Sequence, residues 1–205
     1  MKARRVIDML LAAILLVAIM APPGLLFSME DQTLEKWSEF SKKAECRKLM
    51  SWLRCLAGAR LTGGKDCGSP DIKTPPFFGS LGMFITLKRG RRIRGCYGAF
   101  SHAVTDLRGL LSDYLTGALT RDPRYAPLDA AELADTDIIL TVATMPSPVS
   151  DAGSIDTNRY GVMLVCNGDE TSVFVPAEVR ASSYIEQFMK GKSCQVSAFR
   201  AITIR

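Results

Sequence analysis

The chain reads as an α+β fold with a mainly antiparallel sheet and flanking helices, on three observations. Short strand-like runs come in pairs joined by tight turns, at Gly90 and at Asn167-Gly168. Leu107, Leu110, Leu111, Tyr114, Leu115 and Ala118 fall at i, i+3, i+4, i+7, i+8 and i+11, an amphipathic helix by spacing. The 205 residues, 47% hydrophobic and 23% charged, suffice for one domain with a sizeable core.

The elements follow in order. Thr33–Leu61 has helical spacing through Trp37, Phe40, Ala44, Leu49, Leu53 and Leu56, and is expected to be one helix ended by Gly58, Gly63 and Gly64. A Gly-, Pro- and Asp-rich loop occupies 62–80. Met83–Leu87 and Arg92–Phe100 read as paired strands, and Leu107–Ala118 as a helix stopped before Asp122-Pro123. Asp137–Thr144 is a strand ended by Met145-Pro146-Ser147-Pro148. Gly161–Cys166 and Ser172–Val175 form a hairpin, 177–190 holds a short helix, and Val196–Ile204 is a last strand. Leu110, Leu111 and Leu115 are expected to face the sheet.

Residues 1–28 read as a signal peptide or N-terminal membrane anchor, leaving 29–205 as the domain. Lys2, Arg4 and Arg5 precede an apolar run of 13 residues, Met9–Ala21. That length suits a signal h-region of about 7–15 residues better than a spanning helix of about 18 or more. Crossing Pro22-Pro23-Gly24 would break a helix. Export or anchoring is therefore expected, with a cytosolic location the alternative. Six cysteines would permit disulfides in an oxidising compartment. Their pairing is open, except that Cys46 and Cys55 lie on opposite faces of the expected helix.

The formal charge of +5 includes +2 from Lys2, Arg4, Arg5 and Asp8, too little elsewhere for nucleic-acid binding. There is one histidine, His102, and no CxxC pair, so no metal site is expected. No glycine-rich nucleotide loop and no Gly-x-Ser-x-Gly motif occurs, so no cofactor is expected. His102 is expected at the surface near a helix start rather than in a dyad with Cys96.

The most distinctive chemistry is Ile93-Arg94-Gly95-Cys96-Tyr97-Gly98. Strand alternation would set Arg92, Arg94 and Cys96 on one face, opposite Ile93 and Tyr97. Two guanidinium groups beside the thiol would favour its thiolate. Gly95 and Gly98 would let backbone or ligand approach closely. The other reading is structural: a buried cysteine, glycines marking a bulge, and solvated arginines. Asp122, Arg124 and Glu132 either bind a substrate near the cleft, or the first two make a rigid Asp-Pro turn with Arg124 holding a neighbouring carboxylate or carbonyl.

Leu81–Leu87, Arg94–Gly98, Asp122–Leu128 with Glu132-Leu133, Gly161 with its strand, and Val175–Val179 resemble, in order, the sequence blocks of the AMMECR family. The resemblance covers essentially all of 33–205. It implies a larger and a smaller lobe with a cleft between them and the motif cysteine at that cleft. It also implies Memo-type and radical S-adenosylmethionine proteins as partners in a modification pathway. A His-Gly pair common in the family is Tyr160-Gly161 here, and its Gly-Trp-Asp block is not recognisable around Ala181–Tyr184. Two functions are expected from this reading. One is a thiol-dependent enzyme or enzyme component, with Cys96 and Arg94 catalytic and Gly95, Gly98, Arg92, Asp122 and Arg124 binding. The other is a non-catalytic domain whose cleft holds a peptide or small anion.

Overall fold

A computed structural model describes residues 24–64, 67–168, 170–176 and 182–205. Most of the expected targeting segment, 1–23, lies outside the described residues, as do 177–181 of the last expected helix. Among the described residues no helix is long and apolar enough to cross a membrane.

The expected first helix is two: α1 (Gly24–Ser41) and α2 (Ala44–Thr62). The chain tightens at the junction, where the Lys42 and Lys43 amides bond back to Glu39 and Phe40 carbonyls, and Lys43 is extended. The apolar stripe changes phase there. Trp37 and Phe40 are buried from α1, and Cys46, Leu49, Trp52, Leu53 and Leu56 from α2. One straight helix could not turn both stripes into the same core. Gly63, at φ 67°, closes α2 in the left-handed region that suits glycine.

The strands are β1 (Gly82–Arg89), β2 (Arg92–Ala99), β3 (Thr136–Ala143), the two-residue β4 (Ser147–Pro148), β5 (Tyr160–Cys166), β6 (Glu170–Phe174) and β7 (Cys194–Ile204). The helices α3 (Leu107–Thr120) and α4 (Ser182–Met189) complete the set. All pairings are antiparallel, in the order β2-β1-β3-β7-β5-β6, with β4 also on β7. The connection between the paired Cys166 and Glu170 turns through Asn167 and Gly168, both at positive φ.

β7 joins two lobes. Its C-terminal end pairs with β3 in the larger lobe, and its N-terminal part pairs with β5 in the smaller. The larger core lies between α1–α3 and one face of β1, β2, β3 and β7, with Leu110, Leu111 and Leu115 all buried in it. The smaller core gathers Val162, Leu164, Cys166, Phe174 and Ile185. Between them, Phe84, Ala143, Val175 and Phe199 form a third cluster, against which Cys96 and Phe100 pack. Phe84, Phe100 and Phe199 stack or meet edge to face with centroids 4.9–6.5 Å apart. The fold is thus α+β, with an antiparallel sheet curled about a cleft. Disulfides Cys55–Cys67 and Cys166–Cys194 staple α2 to its following loop and β5 to β7, while Cys46 and Cys96 remain thiols.

Candidate functional site

β1 is legible as an alternating strand and sets the two faces of the sheet. Met83, Ile85 and Leu87 enter the helix-covered core, whereas Phe84 joins the interlobe cluster. Thr86 and Lys88 follow Phe84 toward the cleft, by the two-residue period. The pairings Phe84↔Gly98, Thr86↔Cys96, Phe84↔Thr141, Thr86↔Ile139 and Thr141↔Thr203 extend that cleft face across β2, β3 and β7. Cys96 is half-buried there, and the Thr86 hydroxyl donates to its Sγ at 3.3 Å.

Strand alternation fails at Arg94. Leu87 faces Gly95 but Lys88 faces Ile93, so Arg94 is the extra residue of a β-bulge. Parity flips across it. Ile93 stands with Thr86 and Lys88 in the cleft, not on the face opposite Cys96 where alternation would set it. Arg94 instead meets Glu132 on the helical side, with Nε to Oε1 at 3.0 Å and Nη2 to Oε2 at 2.8 Å. Arg89 reaches the same carboxylate at 3.3 Å. The bond from Arg94, then the Asp129 amide, holds Glu132 down at about 2. The shared face of Arg92, Arg94 and Cys96 expected from spacing is therefore not formed. Arg92 is exposed at the strand start, opposite Arg89.

The glycines of the motif serve backbone packing. A Cβ on Gly95 would lie 2.0 Å from the Ala118 carbonyl oxygen of α3, and one on Gly98 would lie 2.2 Å from that of Met83. On the helical side, with Gly95, the Tyr97 ring covers Gly117, where a Cβ would come within 2.3 Å.

Asp122 is 6% exposed and accepts the Cys96 amide at 2.7 Å. β2 is an edge strand, and this bond gives one of its outward amides a partner. Arg124 holds the carboxylate through Nε and Nη2, both at 3.0 Å, and through its own amide at 3.1 Å. Burial pushes Asp122 up, but the Arg124 side chain, the Cys96 amide and the Arg124 amide together bring it below its ordinary value. The two residues thus form the Asp-Pro turn foreseen as one of their readings, with Arg124 on the carboxylate of Asp122 itself.

His102, expected at the surface, is buried. Its Nε2 lies 2.9 Å from the Leu81 carbonyl, which can only accept, so Nε2 carries the proton and Nδ1 accepts from the Tyr114 hydroxyl at 2.8 Å. Burial lowers its pKa, opposed by the Leu81 bond.

The cleft contains polar groups that the sequence did not single out. A cavity of about 30 Å³ lies between the cleft face of the sheet and Val175-Pro176, lined by Thr86, Lys88, Ile93, Thr141, Thr203 and Arg205 among others. Thr141 is fully buried, and its hydroxyl has no hydrogen-bond partner among the described residues. Thr86 was legible from alternation in Phe84–Lys88. Thr141 was hidden inside the apolar run Ile138–Ala143, where one hydroxyl does not disturb a buried-strand pattern. Among the described residues no cluster of His, Cys, Asp or Glu could hold a metal ion.

The described residues form a two-lobed antiparallel α+β domain with a glycine-flanked cysteine in its interlobe wall. The AMMECR1 family model matches residues 34–199, and the chain belongs to that family. Related proteins of Thermotoga maritima and Methanothermobacter thermautotrophicus are each 33% identical, over 99 and 105 residues. Those matches cover 47% and 51% of this chain and 57% and 54% of the relatives, so the chain spans about half the length of the curated relatives it matches. The fold is shared with PH0010, an uncharacterized protein of Pyrococcus horikoshii, at a TM-score of 0.61 and 19% identity, over 79% of this chain and 91% of that one.

Proposed function

We propose that this AMMECR1 domain is a binding module whose interlobe cleft accepts a small anion or the end of a peptide, with Cys96 part of the cleft wall. The observation that carries this reading is how the charges are distributed. Arg94, the cation that spacing would set beside the thiol, is bound at both ends of Glu132, and Arg124 is likewise bound to Asp122. A guanidinium held by a carboxylate offers little net field to a neighbouring thiol. Lys88 and Arg205, by contrast, line the cleft and make no ion pair among the described residues.

The thiol-enzyme reading keeps one support: Cys96 stays outside both disulfides, at the cleft and in contact with the Thr86 hydroxyl. Iodoacetamide labelling of the full chain, followed by intact mass, separates the two. The binding reading predicts that Cys96 labels at pH 6.5 no faster than glutathione. Labelling ten times faster than glutathione would return the thiol to a catalytic role and overturn the binding reading. The two disulfides further support placing the domain in an oxidising compartment, reached through residues 1–28. Fractionation of full-length and 29–205 chains tests that: equal amounts of both in the cytosol would contradict export. Memo-type and radical S-adenosylmethionine proteins stay as proposed partners, testable by co-purification with the full chain.

A further inference from the structure

We infer that the cavity beneath Val175-Pro176 is a carboxylate subsite, in which the Thr141 and Thr86 hydroxyls donate to the two oxygens and Lys88 and Arg205 balance the charge. This rests on the binding reading above and names the chemistry of its ligand. A buried hydroxyl without a partner is destabilising, and native chains rarely keep one without a use. Thr141 keeps one in the central strand β3, where valine would fill the same volume without the cost. Its hydroxyl can donate one hydrogen bond, as can that of Thr86, two strands' width of sheet away from Thr203.

The size of the cavity narrows the ligand class. One water needs about 10–15 Å³ of such space, so about 30 Å³ takes two oxygens and leaves the rest of a molecule in the mouth. Two hydroxyl donors facing two oxygens, with cations at the rim, suit a carboxylate better than a bulkier phosphate with its three or four oxygens. The acidic neighbour is Asp137, which faces Lys88 across the β1–β3 ladder but makes no ion pair with it. Asp137 is exposed, so its charge is screened by solvent while the cavity interior is not. The Thr86 proton now rests on Cys96 Sγ, and a bound carboxylate would draw it into the cavity. Occupancy would then be felt at Cys96 without any covalent step.

The test is a titration of the full chain, carrying ¹³C-labelled threonine methyls, with sodium acetate against sodium chloride at equal ionic strength. Saturable shifts of the Thr86 and Thr141 methyls with acetate are expected, with acetamide at least tenfold weaker, about the loss of one charged hydrogen bond. Thr141→Val should weaken acetate about tenfold with an unfolding midpoint no lower than wild type, and Thr141→Ser should restore binding. Lys88→Gln should weaken it at least about fivefold. N-acetylglycylglycine beside its C-terminal amide distinguishes a peptide end from a free acid: tighter binding than acetate assigns the former, equal binding the latter. Absence of a saturable acetate shift, equal binding of acetamide, or an unaltered Thr141→Val titration overturns the inference. If Cys96 labelling is slow in that case, the cleft remains a binding site for another ligand class, and only the carboxylate assignment falls.

Discussion

The two faces of the β1–β2–β3 sheet are built to different ends. On the helical face the groups fit one another: Tyr97 lies over Gly117, Gly95 lets the α3 backbone close in, and His102 is bonded at both nitrogens. On the cleft face, among the described residues, a hydroxyl is buried without a partner, two cations make no ion pair, and a thiol is half-buried. Stability is therefore concentrated on one side of the sheet, and the capacity to bind on the other. Substitutions on the helical face should lower stability, whereas those in the cleft should leave it unchanged or raise it.

The largest effect is expected deepest in the helical face. Leu111→Ala removes a fully buried side chain and should cost about 2–5 kcal/mol in urea unfolding. Gly95→Ala should cost about 3 kcal/mol, since the new Cβ would meet a backbone oxygen that cannot rotate away. If it were neutral, the close approach of α3 would be wrong.

Asp122→Ala joins the two faces, because it frees both the Cys96 amide and Arg124. A loss of about 1.5–3 kcal/mol is expected, with faster amide exchange at Cys96. An unchanged exchange rate there would show that the edge amide does not depend on this carboxylate.

A smaller effect should appear with pH. The folded state holds His102 below its unfolded pKa of about 6.5, so the unfolded chain binds more protons in mild acid. The stability it contributes is complete above that value and is lost as pH falls through it toward the lower folded pKa. His102 is the sole histidine, so a fall in urea midpoint between pH 7.5 and 5.5 reports on it directly. That fall should shrink in His102→Gln. Glu132 acts lower down, losing its contribution only as pH drops from about 4.5 through about 2.

Most of the fold was legible because periodicity survives folding where an element is regular. The α3 stripe, the Asn167-Gly168 turn and the pairing of Met83–Leu87 with Arg92–Phe100 all carried over. The break between α1 and α2, at Lys42-Lys43, falls within the regular spacing Phe40–Ala44, so the apolar pattern does not mark it. The bulge at Arg94 cost more, since one extra residue reversed the faces of Arg92, Ile93 and Arg94 relative to Cys96. Gly95 was the clue, but a glycine in a strand also marks close packing, and here it does both. Thr141 could not have been found, because what distinguishes it is a missing partner, and partners are set by the tertiary structure.

The contrast between the two faces is tested most directly by the urea unfolding free energy of Thr141→Val. If the cleft hydroxyl is held for a ligand, the valine should stabilise the ligand-free protein by about 1 kcal/mol, since an unmatched polar group is removed at constant volume. A loss of about 1 kcal/mol instead would mean that the hydroxyl contributes to the fold, and the two faces would no longer differ in kind.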